Sequence, residues 1–69
     1  MKKFVVAYAN VFGDYLKIDF IEAECERDAA IEYLGLTEHP MRLSLPTMEE
    51  IYSYASDQDS FIEVKEVPN

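Results

Sequence analysis

Glu22, Glu24, Glu26, Asp28, Glu32 and Glu38 form an acidic series, and their spacing suggests one kind of joint chemistry. Alternate residues of a strand stand about 6.8 Å apart, and phosphates on one DNA strand recur on a similar scale, about 3.4 Å of helix axis each. A row of carboxylates at that pitch fits a phosphate-binding groove on another protein. Two accounts compete for the series: acidic residues that keep a small domain soluble, and nucleic-acid mimicry or charge-steered docking to a basic partner. Asp57, Asp59 and Glu63 also lie close in sequence. A calcium loop needs a central glycine and a twelve-residue ligand series, which this segment lacks, so it reads as a solvated helix-to-strand turn. Cys25 and His39 are the single thiol and the single imidazole. A nucleophile and its base need an orienting acid and a basic neighbourhood for the thiol; no acid is specified and only Arg27 is basic nearby, so no catalytic set is read. One cysteine and one histidine do not supply a protein-only zinc site, and no cofactor or metal is expected. Tyr8, Tyr15, Tyr33, Tyr52 and Tyr54 could stack bases. With six basic residues in the whole chain, they read instead as core packing or as anchors for a protein partner.

These groups must be positioned by a chain of 69 residues, one domain spanning the whole sequence. A domain of this size buries only roughly 60% of the surface its unfolded chain exposes, and the usual compensations are disulfides, a metal or oligomerisation. A lone cysteine excludes an internal disulfide and fits a reducing cytosol. Met1, Lys2 and Lys3 are followed by an apolar run without a small-residue cleavage site, broken by Asn10, Gly13 and Asp14, so no signal peptide is read. No stretch approaches the roughly eighteen apolar residues of a membrane span. The net charge of −8 disfavours direct binding to nucleic acid or to an anionic membrane, where affinity comes from lysine and arginine. The hydrophobic fraction of 49% is too high for a disordered acidic chain.

Periodicity supplies the elements. Lys3 to Phe12 reads as a strand that is apolar on both faces, Phe4, Val6, Tyr8 and Phe12 against Val5, Ala7, Ala9 and Val11, and so wants cover on both sides. Gly13 and Asp14 supply turn chemistry. Tyr15 to Glu24 alternates Leu16, Ile18 and Phe20 with Lys17 and Asp19, the pattern of an edge strand with the apolar set buried. Ile21 and Ala23 are out of phase, and a bulge near Phe20 or Ile21 would restore them. Cys25 to Leu34 shifts to helical spacing with Glu26 and Asp28 in its first turn and Gly35 as its stop. Leu36 to Pro46 reads as a connecting loop whose Leu36, Met41, Leu43 and Leu45 tuck against the core. Thr47 and Glu50 form a capping box that opens a second helix with Met48, Ile51, Tyr52 and Ala55 on one face. Phe61 to Val67 closes the chain as a strand, Ile62 and Val64 opposite Glu63 and Lys65. The expected fold is α+β, ββααβ: a three-stranded sheet in the order 2-1-3 with two short helices on one face. The other face carries one of the two apolar sets of strand one, and such an exposed patch marks an interaction surface.

Two stretches, Lys3 to Ile21 (KFVVAYANVFGDYLKIDFI, followed by EAE) and Glu49 to Val67 (EEIYSYASDQDSFIEVKEV), resemble in layout the small acidic early proteins of tailed bacteriophages. Many of these open on a lysine-initiated strand hairpin and close on an acidic turn and a short apolar strand. The likeness spans roughly 55 to 60% of the chain. Cys25 departs from it, since such chains often have a capping serine there. The resemblance implies a host-takeover or anti-defence role in the bacterial cytoplasm, exerted by binding, and carries over no residue-level site. The expected function is therefore a non-enzymatic acidic protein that inhibits or modulates a host defence or nucleic-acid-handling protein with a basic surface. The partner-binding residues are Tyr15, Glu22, Glu24, Glu26, Asp28, Glu32, Tyr54, Asp57 and Asp59. The alternative is a small structural or adaptor protein, a homodimer included, that uses the exposed sheet face.

Overall fold

The computed structural model describes residues 1–13 and 16–68. The elements are β1 (Lys2–Asn10), β2 (Leu16–Ala23), α1 (Glu26–Tyr33), a 3₁₀ helix (Pro40–Ser44), α2 (Met48–Asp57) and β3 (Ser60–Glu66). The three strands form an antiparallel sheet in the order β2-β1-β3, so the two-sided strand is central and the fold is the expected α+β ββααβ. Asn10 closes the first strand: its backbone carbonyl accepts from the Gly13 N–H at 3.2 Å and its side-chain Oδ1 from the Phe12 N–H at 2.8 Å. The turn role given to Asp14 and the strand start at Tyr15 lie outside the described residues.

Register decides which face of each strand meets the helices. Phe4 pairs with Ile21, Val6 with Asp19 and with Val64, and Tyr8 with Lys17 and with Ile62. Directly paired residues share a face, and this is the helix-covered one: Phe4, Val6, Ile62 and Val64 are buried there with Ala29, Ala30, Ile31, Ile51 and Ala55 from the helices. The β1–β2 pairing is unbroken from Lys2↔Ala23 to Ala9↔Leu16, so there is no bulge near Phe20 or Ile21. Ile21 and Ala23 are instead the in-phase members of the helix-covered face, and Leu16, Ile18 and Phe20, expected to be buried, stand on the open one. Pairing explains the reversal, since Leu16, Ile18 and Phe20 stand opposite Ala9, Ala7 and Val5, and helix length explains how Lys17 and Asp19 are tolerated on the helix side. At 1.5 Å per residue the eight residues of α1 and ten of α2 span roughly 12 and 15 Å, against about 27 Å for β1. They cover the Ala23 end of β2 and leave Lys17 and Asp19 at the rim, where the two form an exposed ion pair at 3.7 Å.

Both helices stop and start on local chemistry. Gly35 adopts φ +73°; its N–H donates to the Glu32 carbonyl and that of Leu36 to the Ile31 carbonyl, the paired bonds of a Schellman stop. The accompanying apolar contact pair, Leu36 and Ile31, is buried. Thr47 accepts from the Glu50 N–H at 3.4 Å. Cys25 occupies the N-cap of α1 without a side-chain cap bond. The segment read as a loop holds the 3₁₀ helix, opened by His39, whose Nδ1 accepts from the Met41 N–H at 3.0 Å. Leu36 and Leu45 do tuck into the core, but Met41 and Leu43 are exposed, because a five-residue 3₁₀ helix on the surface turns only its flanks inward. Arg27 fastens this segment to α1: Nε donates to the Leu45 carbonyl at 2.8 Å and a terminal nitrogen to the Arg42 carbonyl.

Ile51→Ala, which removes a fully buried side chain, is expected to lower the urea-unfolding free energy by about 2–5 kcal/mol. Arg27→Ala, which deletes charge-assisted bonds to two carbonyls, is expected to lower it by about 1.5–3 kcal/mol. In hydrogen exchange, Arg27→Ala should raise the exchange of the 3₁₀ segment before that of the sheet.

Candidate functional site

The open face of the sheet reads as three aligned rows. Ala9 pairs with Leu16 and Phe61, Ala7 with Ile18 and Glu63, and Val5 with Phe20 and Lys65; Lys3 and Glu22 close the end of the sheet. Leu16, Ile18, Phe20 and Phe61 are 69%, 57%, 66% and 64% exposed. Phe20 and Phe61 have about 150–250 Å² each, and at the exposures given they present, together with Leu16 and Ile18, roughly 400–500 Å² of apolar surface, as large as the largest patch on a typical monomer. The relief is uneven: β2 raises a ridge of Leu16, Ile18 and Phe20, while Ala7 and Ala9 of β1 leave a trough beside it. In charge the face is balanced, Lys3 and Lys65 against Glu22 and Glu63.

The acidic residues expected to act together fall into separate groups. Glu22, Glu24, Asp28 and Glu32 surround one shallow depression between the β2 edge and α1, which Arg27 and Arg42 also line. Asp28 and Glu32 are one helical turn apart and share a side of α1; Asp28 meets Arg27 at 3.2 Å. Only Glu22 lies within a strand, because β2 ends at Ala23 and α1 begins at Glu26, so the series has no continuous strand pitch. Glu26 lies two residues before Asp28, about 200° around the helix axis, and adds its field to the Tyr52 hydroxyl. Asp57 and Asp59 lie at the opposite end, near Asn10 and Ser60, about 27 Å from Glu22 along β1. Asp59 serves the backbone: at φ +57° it ends α2, its N–H donates to the Ser56 carbonyl, and its carbonyl accepts from the Val11 N–H at 2.9 Å.

The tyrosines also divide. Tyr15 lies outside the described residues. Tyr54, expected as an exposed anchor, is half-buried and packs against the core, whereas Tyr52, placed on the inward face of α2, is 41% exposed. The helix is turned so that Ile51 and Ala55 centre its buried stripe, which brings Tyr54 inward on one flank and leaves Tyr52 on the other. Tyr8 and Tyr33 lie 5.6 Å apart between ring centroids, and with Tyr54, Lys17, Asp19 and Glu32 they line a groove at the uncovered end of the helix layer. Among the described residues, no three His, Cys, Asp or Glu side chains are grouped to hold a metal ion. No helix there is long and apolar enough to cross a membrane.

The residues that sequence reasoning missed are Leu16, Ile18, Phe20 and Phe61. The signal was present in Ile21 and Ala23: their phase marks a second apolar set on β2, which the true register places under the helices.

Tyr52 sits over the outer edge of β3 with Phe61 and Glu63. Partial burial first, then the carboxylates of Glu63 and Glu26, raise its phenol above the ordinary 10.0. The unfolded chain therefore ionises first as pH rises, and the stability this group lends is full below about pH 10 and lost above it. Phenolate absorbance, taken as wild type minus Tyr52→Phe, should show a late-titrating tyrosine that moves toward the ordinary value in Glu63→Gln. Urea melts of Tyr52→Phe should lose stability less steeply above about pH 10.

No protein-family model, no curated protein and no solved structure matches this chain.

Proposed function

We propose that the chain is a non-enzymatic protein-binding module whose main docking surface is the open face of its sheet. The observation that supports this is the register itself: Leu16, Ile18, Phe20 and Phe61 stand together and exposed on a face that neither helix covers. A monomer that leaves such a patch in water forgoes roughly 25 cal/mol for each Å² that a partner would bury, and contiguous exposed patches of this size mark interaction sites. A photo-reactive amino acid placed at Ile18 should yield covalent adducts in a bacterial cell, and the same group at exposed Glu49 on α2 should yield none. Absence of adducts from position 18 overturns the reading.

A second reading rests on the four carboxylates gathered around one depression, Glu22, Glu24, Asp28 and Glu32. This edge suits a basic surface, such as the groove of a nucleic-acid-handling host protein that an inhibitor would occupy, with association steered by charge. Replacing Glu22, Glu24 and Asp28 by glutamine should slow association with such a partner and flatten its salt dependence, measured by surface plasmon resonance. An unchanged association rate removes this reading.

A further inference from the structure

We infer that the open sheet face is filled by a second copy of this chain, packed face to face with the β2 ridge of each copy in the β1 trough of the other. The inference rests on the docking reading above and names its occupant. Three features of the face carry it.

The first is charge. A chain of net −8 repels its own kind wherever its acids are exposed, but on this face Lys3 and Lys65 balance Glu22 and Glu63. The net charge is thus carried by residues outside these rows. A basic partner would be drawn to that acidic remainder, whereas this neutral apolar face gives it no electrostatic reason to dock. It is the surface on which two such chains can meet without bringing their excess acids together.

The second is shape. Two sheets packed face to face stand about 10 Å apart with strands nearly aligned. A two-fold axis running along the strands, midway between β1 and β2, sets the Leu16, Ile18 and Phe20 ridge of one copy over Ala9, Ala7 and Val5 of the other and returns the same fit on the second pair. Ile18 then lies over Ala7 because the two already share a row. The β3 strands fall outside the overlap, so Glu63 and Lys65 stay at the wet rim while Phe61 flanks the partner's ridge. Each surface is its own complement, as a two-fold interface requires.

The third is area. The roughly 400–500 Å² of apolar surface from each copy, the flanking Phe61 included, sums to about 800–1,000 Å², below the roughly 1,200 Å² at which stable specific interfaces begin. That size fits a reversible dimer of a small domain. Edge-to-edge pairing through β2 fits less well. The bonds from Val67 N–H to the Lys3 carbonyl and from Val11 N–H to the Asp59 carbonyl fix the alternation along β1, which turns the free backbone groups of Leu16, Ile18 and Phe20 outward. A neighbour added there extends the sheet and leaves the apolar face still exposed.

Sedimentation velocity on the full chain over about 1 µM to 1 mM tests the inference. The expected result is a concentration-dependent dimer whose dissociation constant falls several-fold as salt rises from about 50 to 500 mM, since salt screens the repulsion of like-charged chains. Ile18→Lys and Ala7→Glu should each raise the dissociation constant at least about tenfold, and a mixture of the two should recover dimer, because the new charges then face each other. Circular dichroism checks that each variant is folded. If Ala7→Glu unfolds, Phe20→Lys with Val5→Glu takes its place. A wild type still monomeric at about 1 mM, a dimer indifferent to Ile18→Lys, a dimer weakened by salt, or a mixture without recovery overturns the inference. A monomeric wild type that still yields adducts from Ile18 to another protein ends the second-copy proposal alone and leaves the docking face standing.

Discussion

Everything in this structure depends on a mismatch between sheet and helix. The central strand is apolar on both faces, yet the described residues form only two α-helices with which to cover them, both short and both on one side. Within β1, the side that receives the helices is the one with the larger side chains, Phe4, Val6 and Tyr8. Burying these removes more apolar area from water than burying Val5, Ala7 and Ala9 would. Once that choice is made, antiparallel pairing fixes the rest. Whatever stands opposite Val5, Ala7 and Ala9 in β2 and β3 goes to the open face, large or small.

The same mismatch separates the chain's two characters. Its acids gather on the helices, on the turns and at the outer edge of β2, where carboxylates near helix N-termini such as Glu26, Asp28, Glu49 and Glu50 also favour the local dipole. The open face is left nearly neutral and apolar. A surface partitioned in this way offers two unlike modes of association, one that weakens with salt and one that does not, and the two can be told apart in solution.

Connections between elements rely on a few directed bonds. Arg27 reaches from α1 to the carbonyls of the 3₁₀ segment, and Asp59 spends its backbone tying the end of α2 to β1. Asp59 shows why a charged residue in a turn is a weak pointer to binding: its position is explained by an Asp tolerating a left-handed conformation where a helix must end.

Local signals were legible in the sequence. Thr47 with Glu50 marked the start of α2, Gly35 marked the end of α1, and the double-faced strand marked itself as central, because capping bonds, positive φ and two-residue alternation are properties of neighbouring residues. These sufficed for the element order and for the strand order. The sense of each face was not legible. Leu16, Ile18 and Phe20 alternate with charges as a buried set would, and only their pairing with Ala9, Ala7 and Val5 shows that they point away from the helices. Tyr54 and Tyr52 exchanged roles for a similar reason, since the rotation of α2 is set by what Ile51 and Ala55 pack against. The acidic series looked continuous along the chain and is divided in space, because the strand ends at Ala23 and the helix turns Glu26 away from Asp28. What the sequence by itself determined is which segments are strands and helices and that one apolar face would be left over. Which face that is, and which side chains furnish it, only the tertiary structure decided, because register and helix placement are long-range agreements between segments that no local period records.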